Sequence, residues 1–211
     1  MREIKTLSRA EEVDLLVAEA LKKATASLDL GETKWVVLAV GGYGRQQLAP
    51  FSDIDLAVIH AGLEQEDVKN LVQKLFYPLW DAKLSLGHTV KSLKESVAFG
   101  REDFHWLTAS LDARFLGGDP KFFDTFTKCM VDVAGRKNGR PFLKDLITSS
   151  RERWQHFGHA GRQREPELKE AHGGLRDIHA VRWGARVIGR GFETSVTGLE
   201  GAVELGLISP E

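Results

Sequence analysis

One cysteine in 211 residues, Cys129, excludes an intramolecular disulfide and any zinc site built on cysteine thiolates. That usage fits a reducing compartment, and the cytoplasm is the expected location. No apolar run approaches the roughly 20 residues that a membrane-spanning helix needs, so no membrane partner is expected. Residues 1–9 are polar where a secretory leader would carry its apolar stretch. Internal repeats and low-complexity tracts are also missing. What remains is an ordinary globular balance, 42% hydrophobic and 28% charged. The length suits one large domain, or one domain with a helical appendage.

Net charge is −1, yet it is unevenly spread. From Arg136 to Arg190 there are 13 basic and 6 acidic residues, a local +7; the remainder holds 16 and 24, a local −8. Such a stretch is either a solvated helical surface or a positive wall facing a triphosphate or an acidic partner. Aromatic residues do not interleave with the charge as on a nucleic-acid surface, so neither DNA nor RNA is expected as a partner.

Periodicity divides the chain. Ser8 and Glu11 form a capping box ahead of apolar positions 13, 16, 17, 20, 21 and 24, which predicts a helix over 9–28. A β-branched, uncharged run predicts a strand over 35–40, and a second follows over 53–60. The stretch 41–50 reads as a turn with a short helix. An amphipathic helix is expected over 65–80, kinked or ended by Pro78, and a third strand over 83–90. After residue 92 the pattern is helical: 93–99, 103–116, 120–133, 141–157, 175–188 and a last helix over 197–205. The expected division is therefore a strand-bearing domain over 1–92 and a helical domain over 93–211. The charged, glycine-containing stretch 158–174 is a candidate functional loop.

The most informative segment joins the first two strands. The run Val36-Val37-Leu38-Ala39-Val40 ends in Gly41-Gly42, and Asp53-Ile54-Asp55 opens the next apolar run. Alternation along a strand puts Asp53 and Asp55 on one face and Ile54 on the other. Two adjacent carboxylates repel unless a cation lies between them, and a hard divalent ion such as magnesium suits oxygen ligands. Glycines lack Cβ atoms, so the amides of Gly41 and Gly42 can approach β- and γ-phosphates. A phosphate cradle beside a metal pair points to nucleotide-dependent phosphoryl or nucleotidyl transfer. Asp53 and Asp55 are thus the candidate catalytic and metal-binding residues, for one or two Mg2+ ions. Ser52 adds a hydroxyl. Arg45 offers either a planar fork for phosphate or a salt bridge. Tyr43 is expected to pack.

A third carboxylate is missing from the third strand, where Ser85 and His88 stand instead. His88 is a candidate nucleotide contact or a packed core residue. Asp177, Glu170 and Asp81 are candidate substitutes for the missing acid. Asp177 leads because Gly173-Gly174 lets its helix start close to a ligand, although an aspartate in a first helical turn is also favoured by the dipole. Lys169 and Arg176 flank that glycine pair and are candidate triphosphate contacts. His156 and His159 have metal-capable spacing but no third ligand nearby, so no zinc site is expected.

The segment from Gly41-Gly42-Tyr43-Gly44-Arg45 to Ser52-Asp53-Ile54-Asp55-Leu56 resembles the nucleotidyltransferase motif of the bacterial PII uridylyltransferase/uridylyl-removing enzymes. Three more segments agree in order. They are Leu79 to Leu84 with Gly87 to Leu93, then Ala113-Arg114-Phe115-Leu116-Gly117-Gly118-Asp119, then Glu165 to Glu170 with Gly173-Gly174-Leu175-Arg176-Asp177-Ile178-His179. The resemblance covers most of the chain. It implies an α+β fold: a polymerase-β-like nucleotidyltransferase core with a small mixed sheet, followed by a helical domain. It also implies transfer of UMP from UTP to a tyrosine of the PII signalling protein. The runner-up readings are a related nucleotidyltransferase with another nucleotide or acceptor, and a non-catalytic nucleotide- or PII-binding module. The chain departs from the family pattern at Gln47 (usually glutamate), at Ala171-His172 (usually Gly-Pro), and over 159–164. The family's longer chains continue into a phosphohydrolase domain and two ligand-sensing domains, so uridylyl removal and glutamine sensing are not expected of these 211 residues.

Overall fold

A computed structural model describes residues 8–28, 33–159, 164–165 and 167–189; the helix expected over 197–205 lies outside them. The chain divides into two compact units, Met1–Met130 and Val131–Glu211.

The first unit is α+β. Helix α1 (Arg9–Ala26) starts at the expected capping box, with the Glu11 amide donating to the Ser8 hydroxyl and the Ser8 amide donating to the Glu11 carboxylate. Its inner face is Ala10, Val13, Val17, Ala20, Leu21 and Ala24. Then come β1 (Trp35–Ala39), the short α2 (Gly41–Gly44), β2 (Ile54–His60), α3 (Gln65–Asp81) and β3 (Leu86–Ser92). Helices α4 (Leu93–Phe99) and α5 (Phe104–Leu111), strand β4 (Arg114–Gly118) and α6 (Pro120–Ala134) follow, the last crossing the unit boundary.

The four strands form one mixed sheet in the order β3-β2-β1-β4. β1 is antiparallel to β2 and β4, whereas β2 and β3 are parallel, joined by α3 as parallel strands require. Val37, Ala39, Ile54, Leu56 and Val58 share a core with Val13 and Val17 of α1 and Leu71, Leu75 and Phe76 of α3. Val36, Leu38, Ala57 and Ile59, of opposite parity, are buried as well. A strand buried on both faces needs the uninterrupted apolar runs seen in the sequence.

Three local expectations need correction. β4 overlaps the end of the stretch read as one helix over 103–116 and runs on to Gly118, so strands are not confined to the first 92 residues. A five-residue strand is too short for its period to be told from a helix. Gly117 and Gly118 are part of it: a methyl on Gly117 would overlap Leu21 of α1, and one on Gly118 would overlap the Trp35 carbonyl. β3 begins at Leu86 rather than Lys83, because Lys83 (φ 59°) turns the chain after α3. Pro78 sits inside α3, which continues to Asp81.

In the second unit, Lys137, Asn138 and Gly139 take successive positive φ values of 50°, 58° and 72° and turn the chain into α7 (Arg140–Phe157). Helix α8 (Leu175–Ile188) buries Trp183 and Val187 and α7 buries Phe142 and Leu146, and Gly184 of α8 lies against Leu143 and Leu146 of α7. The intervening loop is closed where the His172 amide donates to the Gly158 carbonyl at 2.9 Å.

Candidate active site

Where β1 ends, Gly41 adopts a left-handed φ of 57° and the chain winds into the single turn of α2. The Gln47 amide closes the turn on the Gly42 carbonyl at 2.9 Å, and the Val40 amide donates to the Asp55 carbonyl at 3.0 Å. The start of β2 is therefore held against the glycine turn. Ile54, 2% exposed, faces the α1–α3 core, so Asp55 takes the other face. Its carboxylate lies between two glycines. One oxygen would be 3.5 Å from a Cβ on Gly41, and a Cβ on Gly87 would overlap the other. Register explains the second: Asp55 is paired with Gly87 across the parallel ladder. Sequence reasoning missed Gly87, because only strand pairing reveals what its missing side chain makes room for.

Asp53, exposed and one residue before β2, accepts a hydrogen bond from the Ser85 hydroxyl at 2.5 Å. Ser85 thus stands beside the pair where a third acid was sought. Among the described residues no group of three or more His, Cys, Asp or Glu side chains could hold a metal ion. Asp53 and Asp55 offer oxygen donors only, the ligand type that magnesium takes alongside waters and substrate phosphates.

The glycine turn is anchored from behind. Arg45 forms an ion pair with Asp112, just past α5, and also donates to Gln47 at 3.1 Å. The Arg45 and Asp112 side chains are only 7% and 8% exposed. The chains meet so closely that a methyl on Gly44 would overlap the Asp112 carbonyl oxygen. Two residues on, Arg114 grips Asp14 of α1 with both terminal nitrogens, at 3.0 and 2.9 Å. Asp14 also accepts the Tyr43 hydroxyl at 2.6 Å. Burial, then the Asp14 contact, drives the Tyr43 pKa far above the ordinary phenol value, so this ring packs as expected and does not react.

Ser52 sits beside Asp53 and its hydroxyl accepts the Ala49 amide at 3.0 Å. His88 is on the far face of the sheet from Asp55. It pairs with Leu56 of the α1–α3 core and packs its ring at 5.2 Å from Phe76 and 5.4 Å from Trp80. The sheet thus separates it from Asp55, and of the two roles left open its ring contacts are those of a packing residue. Asp81, at the end of α3, is exposed.

In the second unit, Asp177 accepts from Arg153 at 2.5 Å, from the Trp154 indole at 2.9 Å and from the Gly173 amide at 2.8 Å. Burial alone would raise its pKa. The hydrogen bonds from Arg153, Gly173 and Trp154 outweigh burial and hold it below the usual carboxylate value. Arg176 is engaged with Glu170 at 3.0 Å, and Lys169 is exposed, 3.9 Å from the same carboxylate.

A Gly-Gly turn set against an acid at the start of an inner strand of a small mixed sheet is the arrangement sought for the nucleotidyltransferase class. Comparison with known proteins narrows it. Residues 141–211 match the family model described as GlnD PII-uridylyltransferase. Curated relatives named bifunctional uridylyltransferase/uridylyl-removing enzyme include that of Caulobacter vibrioides, 35% identical over 70% of this chain and 16% of its own. Those of Ruegeria pomeroyi (32%, 93% of this chain, 21% of its own) and Cereibacter sphaeroides (33%, 99% and 23%) match more of it. The chain is thus related to the bifunctional uridylyltransferase/uridylyl-removing enzymes and spans about a fifth of the length of these relatives. A solved chain from the crystal structure of a toxin-antitoxin with AMP-PNP aligns with a TM-score of 0.39 at 16% identity, over 62% of this chain and 98% of its own. That likeness is too low to carry a functional argument.

Proposed function

We propose that this chain transfers UMP from UTP to a tyrosine hydroxyl of the PII signalling protein, with magnesium and with release of pyrophosphate. The observation that supports this most is the Asp55 carboxylate seated between Gly41 and Gly87, beside a turn whose first amides have no intrahelical partner. Asp53 and Asp55 would hold the ion or ions, and Ser85 orients Asp53. Bound magnesium would offset charge on the phosphate oxygens and help an acceptor hydroxyl of pKa near ~10 to lose its proton. The amides of Gly41 and Gly42 bind the β- and γ-phosphates, with the Ser52 hydroxyl as a further donor. The tyrosine oxygen attacks the α-phosphorus, the bond to pyrophosphate breaks, and the tyrosine proton passes to solvent. A cytoplasmic setting accords with the single cysteine.

One observation favours a second reading. The described residues supply no third acidic ligand, which suits a nucleotide- or PII-binding module without turnover. Incubation with labelled UTP, magnesium and PII separates the two. Labelled PII is expected with the wild type. UTP binding without any label would replace the enzyme by the binding module, and label with another triphosphate alone would change the nucleotide.

A further inference from the structure

The segment around Ala113-Arg114 stood out in the sequence without a role. In the structure it provides the back wall of the glycine turn. Asp112 takes the Arg45 guanidinium in a pair that water barely reaches. Arg114 takes Asp14, whose carboxylate also accepts the Tyr43 hydroxyl, and donates at 3.4 Å to the Tyr43 carbonyl. Residues 43 and 45 of one short turn are thus tied to residues 112 and 114, and Gly44 between them fits against the Asp112 carbonyl. Nothing comparable is needed to bury apolar surface, since buried ion pairs contribute little net stability beside hydrophobic residues of similar size. They do fix geometry, because moving the turn would draw the Arg45 guanidinium, 7% exposed, away from the Asp112 carboxylate.

We infer that Asp112 and Arg114 are positioning residues for nucleotide binding: they act through Arg45 and Tyr43 to hold the Gly41–Gly44 turn in its phosphate-binding shape beside Asp55. Arg45 belongs to this clamp and is not a phosphate ligand. The inference rests on reading the turn as the phosphate site.

A double-mutant cycle on the 211-residue chain tests it, with Asp112→Asn, Arg45→Gln and the pair, each checked for folding by circular dichroism. Titration with UTP and magnesium gives affinity, and hydrogen exchange without nucleotide reports on the amides of residues 41–44. The clamp predicts that either single change weakens UTP binding by about the same factor, about tenfold or more, and that the double variant is no worse, since paired groups couple. Turn amides exchange faster in all three. If Arg45 instead reaches phosphate itself, Asp112→Asn frees it, and UTP binding is kept or tightened while Arg45→Gln still loses it; that result overturns the clamp. Faster exchange at the turn with unchanged UTP affinity overturns it too. Should Asp112→Asn not fold, Asp112→Glu, which keeps the charge but shifts the pair, takes its place in the cycle. A wild type that binds no UTP sinks the function reading. A wild type that binds UTP with Asp112 variants its equal sinks only the clamp.

Discussion

Two glycine pairs open helices in this chain, and each lies beside an aspartate. Gly41-Gly42 has Asp55; Gly173-Gly174 has Asp177. On paper the two look alike. In the structure Asp177 is filled by a guanidinium, an indole N–H and a backbone amide, and it closes its own turn as a structural fastener. At the first pair the cationic partners are kept behind the turn: Arg45 is held by Asp112 and Arg114 by Asp14. Beside the first pair, Asp53 accepts the Ser85 hydroxyl, and Gly87 leaves room for the Asp55 carboxylate. An aspartate saturated with donors stabilises a fold, whereas acids grouped beside open glycine backbone suit a cation and its phosphate. The difference lies in where the arginines go, not in the motif.

The largest effect should come from removing the first pair's charge. Asp53→Asn with Asp55→Asn is expected to lower transfer of label to PII by about a thousandfold or more, the scale of losing the main electrostatic stabilisation. Equal labelling by this variant and the wild type would end the site assignment. Next, Gly87→Val places a side chain where the Asp55 carboxylate lies. Misplacing that group should cut kcat/KM about a hundredfold. Steady-state kinetics with UTP would show it, and wild-type rates in this variant would mean Asp55 can act from another position.

Asp177→Asn sharpens the comparison from the other side. It should cost about 1–2 kcal/mol of stability, because Arg153 loses one ionic partner and keeps only the Glu170 carboxylate, at 3.9 Å. Chemical denaturation would measure that. The folded-state pKa of Asp177 is lowered, so its stabilisation is present above the unfolded value of about 4 and fades as pH falls through the folded one. Wild-type melting temperature should therefore drop below about pH 4 more steeply than that of Asp177→Asn. Parallel pH profiles would contradict the fastener role. The smallest effect is expected from Ser85→Ala, where one exposed hydrogen bond to Asp53 is lost. A severalfold rise in the magnesium requirement, worth about 1 kcal/mol, should appear when transfer is followed against metal concentration.

Much of the site was legible because its signals are local. Gly41-Gly42 and Asp53-x-Asp55 are read from neighbours in the chain, and alternation places Ile54 in the core without any tertiary knowledge. His88 shows the limit. It alternates with Leu84, Leu86 and Val90, which correctly gives its face, but not which face the carboxylates occupy. That depends on the parallel register that sets His88 against Leu56 and Gly87 against Asp55. Arg45 was read with two roles open, and only contact with residue 112 distinguishes them. β4 was missed because five residues of mixed character acquire a strand's identity from pairing with β1.

The family resemblance implied the α+β class; composition and order along the chain by themselves determined the long helices, the twin apolar strands and the acidic pair that opens the second of them. These follow from periodicity and from chemistry between near neighbours. Tertiary structure alone decided the fourth strand, the glycine that clears space for Asp55, and the arginine ion pairs that tie down the turn. Each of these joins residues tens of positions apart, and no local pattern records which distant charge or backbone a side chain will meet once the sheet has closed.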